Sequence, residues 1–444
     1  MAEYVVLLSI PGLRGKDVDA MSRLKALTAS GDRAELAAGV PAVTCPVQAN
    51  MTTGLTPAEH GVVANGFFWR ERGPTEANVE MWTSPNSCIE RPQLWDILHE
   101  QAPEVSSAVW FPLHSKECGA DYVCTPAPIH NPDGSESLWC YTKPASLYGE
   151  LVEELGHFPL QHFWGPIANI KSTTWIVSSA IRAAERFRPN LFYAYLPHLD
   201  YAAQKNGPNS PEASRALMEL DAEIGRLVDG FLAAYARVAP LWLVASEYAI
   251  TPVDHVLYPN RLLRDAGLLK VRPSDAGEVI DYATSIAWAL VDHQISHVFV
   301  NGDAAAVGRV AAMLRGQPGV AEVFNPRHSP QYDLNHPRSG ELVVLSEPNS
   351  WQAYYWWTDD AQAPTFARTV DIHRKPGYDP VELFFDPATR GIPLDATLVK
   401  GSHGAPPIDP AQRGVLLSSE RGVFVEGPTA DTDVADIVLR QFGI

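Results

Sequence analysis

Short uninterrupted apolar runs, separated by stretches whose apolar residues recur at helical spacing, organise this chain. Tyr4–Ile10 carries no charge and predicts a strand buried on both faces. Ala108–Trp110, Leu191–Leu196 and Leu241–Ala245 predict three more. Between them, Thr173–Phe187 and Pro211–Tyr235 place apolar residues at helical spacing, with Pro211 where a first turn tolerates proline. This alternation predicts an α/β fold, a mostly parallel sheet with helices on both faces. Three of the strands run straight into polar motifs: Pro11-Gly12, His198-Leu199-Asp200 and Ser246-Glu247-Tyr248. Ligands of such sheets bind beyond the carboxyl ends of strands, so the chemistry is expected there.

From about Gly267 the pattern changes. Ala287–Asp292, His297–Asn301 and Val320–Phe324 read as short strands and Ala304–Leu314 as a helix. The expected organisation is an α/β core in residues 1–266, an inserted α+β cap in 267–338, and the second part of the core in 339–444, entered through a strand at Gly340–Ser346. Residues 67–148, rich in Pro, Trp and Cys and weakly periodic, read as a loop-rich excursion lining the same face.

Composition narrows the function. The chain has 444 residues, 46% of them hydrophobic, enough for a substantial core. No run approaches the roughly 18 apolar residues of a membrane span, and the start lacks the basic flank and long apolar run of a signal peptide. A cytoplasmic protein without a membrane partner is expected. The net charge of −18 argues against a nucleic-acid polymer as partner, and a small phosphorylated substrate remains open. Five cysteines without a C-x-x-C pair read as reduced thiols. Nothing in the sequence fixes an oligomeric state.

The densest chemical signal is Pro41-Ala42-Val43-Thr44-Cys45-Pro46, followed by Thr53-Gly54-Leu55-Thr56-Pro57-Ala58-Glu59-His60-Gly61-Val62. A Thr opening a helix can cap it. It can also attack phosphorus beside amides that hold a phosphoryl oxygen. The two phrases in this order resemble the nucleophile segment of the type I phosphodiesterase/nucleotide pyrophosphatase branch of the alkaline phosphatase superfamily. The resemblance implies an alkaline-phosphatase-like sheet, Thr44 as nucleophile, and two divalent metals clamping the oxygens of an in-line displacement.

The remaining blocks of that family map unevenly. The final G-x-H-G turn is intact as Gly401-Ser402-His403-Gly404. The D-x-x-x-H block keeps Asp200 and has Gln204 in place of His, and the D-H pair is Glu247-Tyr248. Pro11 stands for the Asp after the first strand, and Val47 for an Asn beyond the nucleophile. Tyr is a poor ligand at neutral pH, and Gln a weak one for zinc. The expectation is therefore one divalent ion, zinc or another transition metal, or none. Asp200, His403 and Glu247 would be its ligands, joined by Gln204, His373 and Asp371 as secondary candidates.

Other polar residues admit two readings. Asp371 and His373 alternate on one side of an extended segment, as metal ligands or as a hydrogen-bonded loop. Arg374 and Lys375 could contact phosphate or be solvated. His198 and Tyr248 could touch substrate, or His198 could be a satisfied loop histidine. Trp351, Tyr354, Tyr355, Trp356 and Trp357 could stack a base or pack a core. The implied function is metal-assisted hydrolysis of a phosphate diester or pyrophosphate in a small metabolite, with Thr44 and Glu247 as catalytic residues. The alternative is a single-metal or metal-free relative that binds or processes a different phosphorylated metabolite, possibly without catalysis.

Overall fold

The computed structural model describes residues 2–73, 79–131, 136–372, 374–425 and 427–444. Nine strands form the main sheet, in the order Thr429–Ala430, Arg33–Ala37, Gly414–Ser418, Leu241–Ser246, Val5–Ile10, Leu191–Tyr195, Ser107–Trp110, Tyr122–Pro126, Cys140–Lys143. The five strands from Leu241–Ser246 to Tyr122–Pro126 are mutually parallel. Antiparallel partners flank them on both sides.

The pleat explains why the central strands read as unbroken apolar runs. Val6, Leu8 and Ile10 point to one face, Val5 and Leu7 to the other. On the first face they meet Ile176 and Ala180 of the helix Ile170–Phe187, and Leu220, Ile224 and Leu227 of the helix Pro211–Ala234. Each fully buried aliphatic side chain adds roughly 1.5–3 kcal/mol, so these stripes, more than propensity, hold the helices. Ser210 caps the second helix by accepting from the Ala213 amide, with Pro211 at its first position. The other face packs Val47 and Met51 of the helix Thr44–Thr53 and Val434 and Ile437 of the helix Asp433–Gln441.

A second sheet, fully antiparallel, has the order Ala287–Asp292, Ile295–Val300, Leu342–Ser346, Val320–Phe324. The expected boundary at residue 338 therefore falls inside this unit. Leu342–Ser346 does not return to the core sheet, because both of its edges pair with strands of the insertion. The excursion over 67–148 is also more ordered than expected, since beyond the expected strand at Ala108–Trp110 it supplies two more strands of the main sheet and the helix Leu94–Gln101. The aromatic run resolves as packing: Trp351, Tyr354, Tyr355, Trp356 and Trp357 are buried in the core of the second unit. A smaller cluster joins the units, where Cys45, Ala49, Val62 and Phe67 meet Ile295, Val343 and Leu345. It seats the hairpin Ala287–Asp292/Ile295–Val300 against the Thr44 helix.

Candidate active site

Thr44 is the first residue of its helix, after an extended Val43. The segment before it is locked: the Ala42 amide donates to the Gly404 carbonyl at 3.1 Å, and His403 Nδ1 donates to the Ala42 carbonyl at 2.8 Å. The helix ends at Gly54, whose φ of +70° is costly for a residue with a Cβ. Pro57–His60 then forms one turn with a Thr56/Glu59 capping box, and His60 Nε2 donates to Asn50 Oδ1 at 2.7 Å. Burial keeps His60 neutral, lowering its pKa to about 3. The Thr-Gly, Pro and His-Gly of the motif thus fix the exit of the helix, while Thr44 marks its entrance.

The expected cradle of helix-start amides is smaller than the motif suggests. Pro46 has no amide hydrogen, and the Cys45 amide donates to Asn65 Oδ1 at 2.9 Å. Among the described residues, the Thr44 amide is what the first turn offers an anion.

Around the Thr44 hydroxyl, chain ends of separate strands converge. Its Oγ1 lies 3.0 Å from the Tyr248 hydroxyl, and Tyr248 in turn donates to Asp200 Oδ1 at 3.4 Å. The hydroxyl is near enough to Glu247 to favour the carboxylate, short of a full hydrogen bond: Glu247 Oε2 is buried without a partner. Glu247 Oε1 accepts from Ser9 Oγ at 2.6 Å and from Gln48 Nε2 at 2.7 Å. Burial is the largest influence on both carboxyls, pushing Glu247 up to about 8 and Asp200 up to about 7.

The metal ligands the sequence pointed to are tied up by protein groups. Gln204 Nε2 donates to Asp200 Oδ2 at 2.7 Å, and Tyr378 donates to Gln204 Oε1 at 2.5 Å. Tyr248 bridges Thr44 and Asp200 while its ring stacks on His403, centroids 3.6 Å apart. Of these ligands, the atoms without a partner among the described residues are His403 Nε2 and Glu247 Oε2. Zinc takes three or four protein ligands. No group of three His, Cys, Asp or Glu converges on a metal position among the described residues. The residues present do not fit the paired ions of the implied chemistry, and they do not build the single site expected from Asp200 and His403.

Other candidates lie elsewhere. His198 Nε2 bonds Glu219 at 2.8 Å and opens on a separate cleft with Lys205 and Arg215. Lys375 is fully buried between Asp379, at 2.8 Å, and Glu382, at 2.7 Å. It is neither solvated nor free for phosphate, because two buried carboxylates already claim its charge. Arg374 is exposed and pairs with Asp371 at 3.3 Å, so Asp371 faces its neighbour rather than Asp200. His373 lies outside the described residues.

One site residue was missed. The cavity that Thr44 and Asp200 line, about 90 Å³, also takes His293 from the tip of the second-unit hairpin. Its signal in the sequence was only an Asp-His pair between two short strands. Aromatic rings complete the wall: Trp82, Phe163, Trp164, Tyr195, Tyr201 and Tyr378.

This sheet, with a hydroxyl-led helix and carboxylates gathered at its strand ends, has the fold of the alkaline phosphatase superfamily. The whole chain superposes on murine ectonucleotide pyrophosphatase/phosphodiesterase 5, solved as an inactive threonine-to-alanine variant with AMP, at a TM-score of 0.63 and 14% identity, covering 100% of this chain and 95% of that one. Phosphonoacetate hydrolase from Sinorhizobium meliloti, solved with phosphonoformate, gives 0.61 and 15%, covering 98% and 95%. The family model for type I phosphodiesterase/nucleotide pyrophosphatase matches residues 5–379, and the chain belongs to that family. An uncharacterized pyrophosphatase/phosphodiesterase of Schizosaccharomyces pombe is 25% identical over 191 residues, which span 43% of this chain and 32% of that relative's length. No helix among the described residues is long and apolar enough to cross a membrane.

Proposed function

We propose that this protein hydrolyses a small phosphate diester or pyrophosphate, with Thr44 as nucleophile and Glu247 as its base, in place of the family's paired metals. The observation that carries this reading is the Thr44 hydroxyl at a helix start, against Tyr248 and Glu247 and open to the cavity. In the first step Glu247 Oε2 takes the Thr44 proton, Oγ1 bonds to phosphorus, and the bond from phosphorus to the leaving oxygen breaks. The Thr44 amide supports the developing charge. A singly charged diester suits the site better than a doubly charged monoester, since among the described residues the cavity is lined by a carboxyl and no Lys or Arg. The five buried free thiols suit a reducing compartment such as the cytosol.

That missing cation favours a second reading, in which the cavity only binds a phosphorylated ligand through its aromatic wall. Steady release of nitrophenolate from bis(4-nitrophenyl) phosphate by the wild type, and its loss in Thr44→Ala, distinguishes catalyst from binder. Equal rates in the two proteins refute the nucleophile.

A further inference from the structure

We propose that His293 is the general base that activates water to release the phosphoryl group from Thr44. This rests on the reading of the Thr44 cavity given above and deepens it. An in-line displacement brings water in opposite the bond to Thr44 Oγ1, so Glu247, on the Thr44 side, is badly placed to serve both steps. His293 enters the same cavity from the other structural unit.

The imidazole is held from every side. His293 Nδ1 donates to Asp292 Oδ1 at 2.6 Å. Asp292 is itself fixed by the Asn65 amide at 2.8 Å and by Asn65 Nδ2 at 3.0 Å. Asn65 Oδ1 takes the Cys45 amide, so a continuous line of hydrogen bonds runs from the Thr44 helix to His293. The ring stacks on Tyr378 at 3.5 Å and lies 3.8 Å from that of His403. A carboxylate on Nδ1 fixes the proton there and leaves the lone pair on Nε2, the tautomer in which a histidine accepts a proton.

The backbone adds a second sign. His293 has φ of +59°, a conformation that costs a bulky residue free energy and that Asn or Gly would adopt more easily. The strain is held by the Gln352 amide, which donates to the His293 carbonyl at 2.7 Å, and by the Gln294 amide on the His403 carbonyl at 2.9 Å. A tight hairpin does not require imidazole there.

The chemistry balances without a further reactant. Water gives a proton to His293 Nε2 as its oxygen bonds to phosphorus. The bond from phosphorus to Thr44 Oγ1 breaks, and that oxygen regains the proton Glu247 took in the first step. The imidazolium then loses its proton to solvent.

The test is rapid mixing of wild type, His293→Gln and Thr44→Ala with bis(4-nitrophenyl) phosphate, followed by peptide mass analysis. The proposal expects His293→Gln to release a single burst equivalent of nitrophenolate and stall, with a phosphoryl adduct on Thr44. Steady turnover by His293→Gln within about twofold of wild type overturns the role of His293 and leaves Thr44 standing. A folded variant with neither burst nor turnover also overturns it, because His293 would then act before the adduct forms. Wild-type turnover by Thr44→Ala, or none by the wild type, refutes the underlying reading instead. His293→Asn, which accepts the left-handed backbone, serves as the second variant should Gln unfold the hairpin, and Asp292→Asn should show the same stall in weaker form.

Discussion

The ring of Tyr248 lies flat on that of His403, with 7° between their planes, while its hydroxyl meets Thr44 at 3.0 Å. One side chain thus joins Thr44, Asp200 and His403. Tyr248 satisfies Thr44 and Asp200 with a neutral phenol. Gln204 and Tyr378 do the same for the other oxygen of Asp200. Burial pushes Tyr248 well above its ordinary value, so it stays a phenol at any pH the protein meets.

It follows that the protein purified without chelator should carry far less than one zinc per chain, and EDTA should leave its melting temperature unchanged. Combining Pro11→Asp, Gln204→His and Tyr248→His should create tight zinc binding, visible by calorimetry. Stoichiometric zinc in the wild type would show that the phenol does not substitute for the ion.

Glu247 links activity and stability in opposite senses. Its folded value of about 8 lies above the ordinary 4.5, so its stabilising contribution is complete below about pH 4.5 and is lost as pH rises through about 8. The base needs the ionised form, so turnover should climb over that same rise and level off above it. Rate and melting temperature measured together from pH 5 to 9 check both signs. Glu247→Gln should lessen the fall in stability toward pH 8, leaving the share that Asp200 contributes near pH 7, and should abolish the rate.

Lys375 tests the reassignment of the basic pair. Lys375→Met leaves Asp379 and Glu382 facing each other unpaired in the interior, which should cost about 3–5 kcal/mol in urea denaturation. Arg374→Ala, at an exposed site, should change stability by no more than about 0.5 kcal/mol. A Lys375 variant that keeps its stability but loses affinity for phosphorylated ligands would restore the phosphate role.

The parts of the fold legible in the sequence were those set by local pattern. Val5–Ile10 and Leu241–Ser246 are apolar but for Ser9 and Ser246 because both faces are covered, so the runs themselves marked them as strands. Tyr122–Pro126 and Cys140–Lys143 lie at one edge of the sheet, and their mixed residues read as loop. Leu342–Ser346 was visible as a strand, but which sheet it joins depends on pairings with residues far away in the chain. At the site, Thr44 stood out because its flanking turns need specific residues at fixed spacing. The substitutions at Gln204 and Tyr248 were equally plain, yet what they do instead of ligation appears only once Tyr378, Asp200 and His403 are brought beside them. His293 was hidden because its partners Asp292, Asn65 and Tyr378 meet only when the second sheet docks on the first.

The most direct test of the central claim is to quench the wild-type protein during reaction with bis(4-nitrophenyl) phosphate and sequence its peptides by mass spectrometry. A phosphoryl adduct is expected on the peptide beginning the Thr44–Thr53 helix, located at Thr44 and absent from Thr44→Ala, which should be inactive yet folded, since losing the buried hydroxyl's bond to Tyr248 costs only about 1–3 kcal/mol. No adduct in the wild type, together with full hydrolysis by Thr44→Ala, would contradict it.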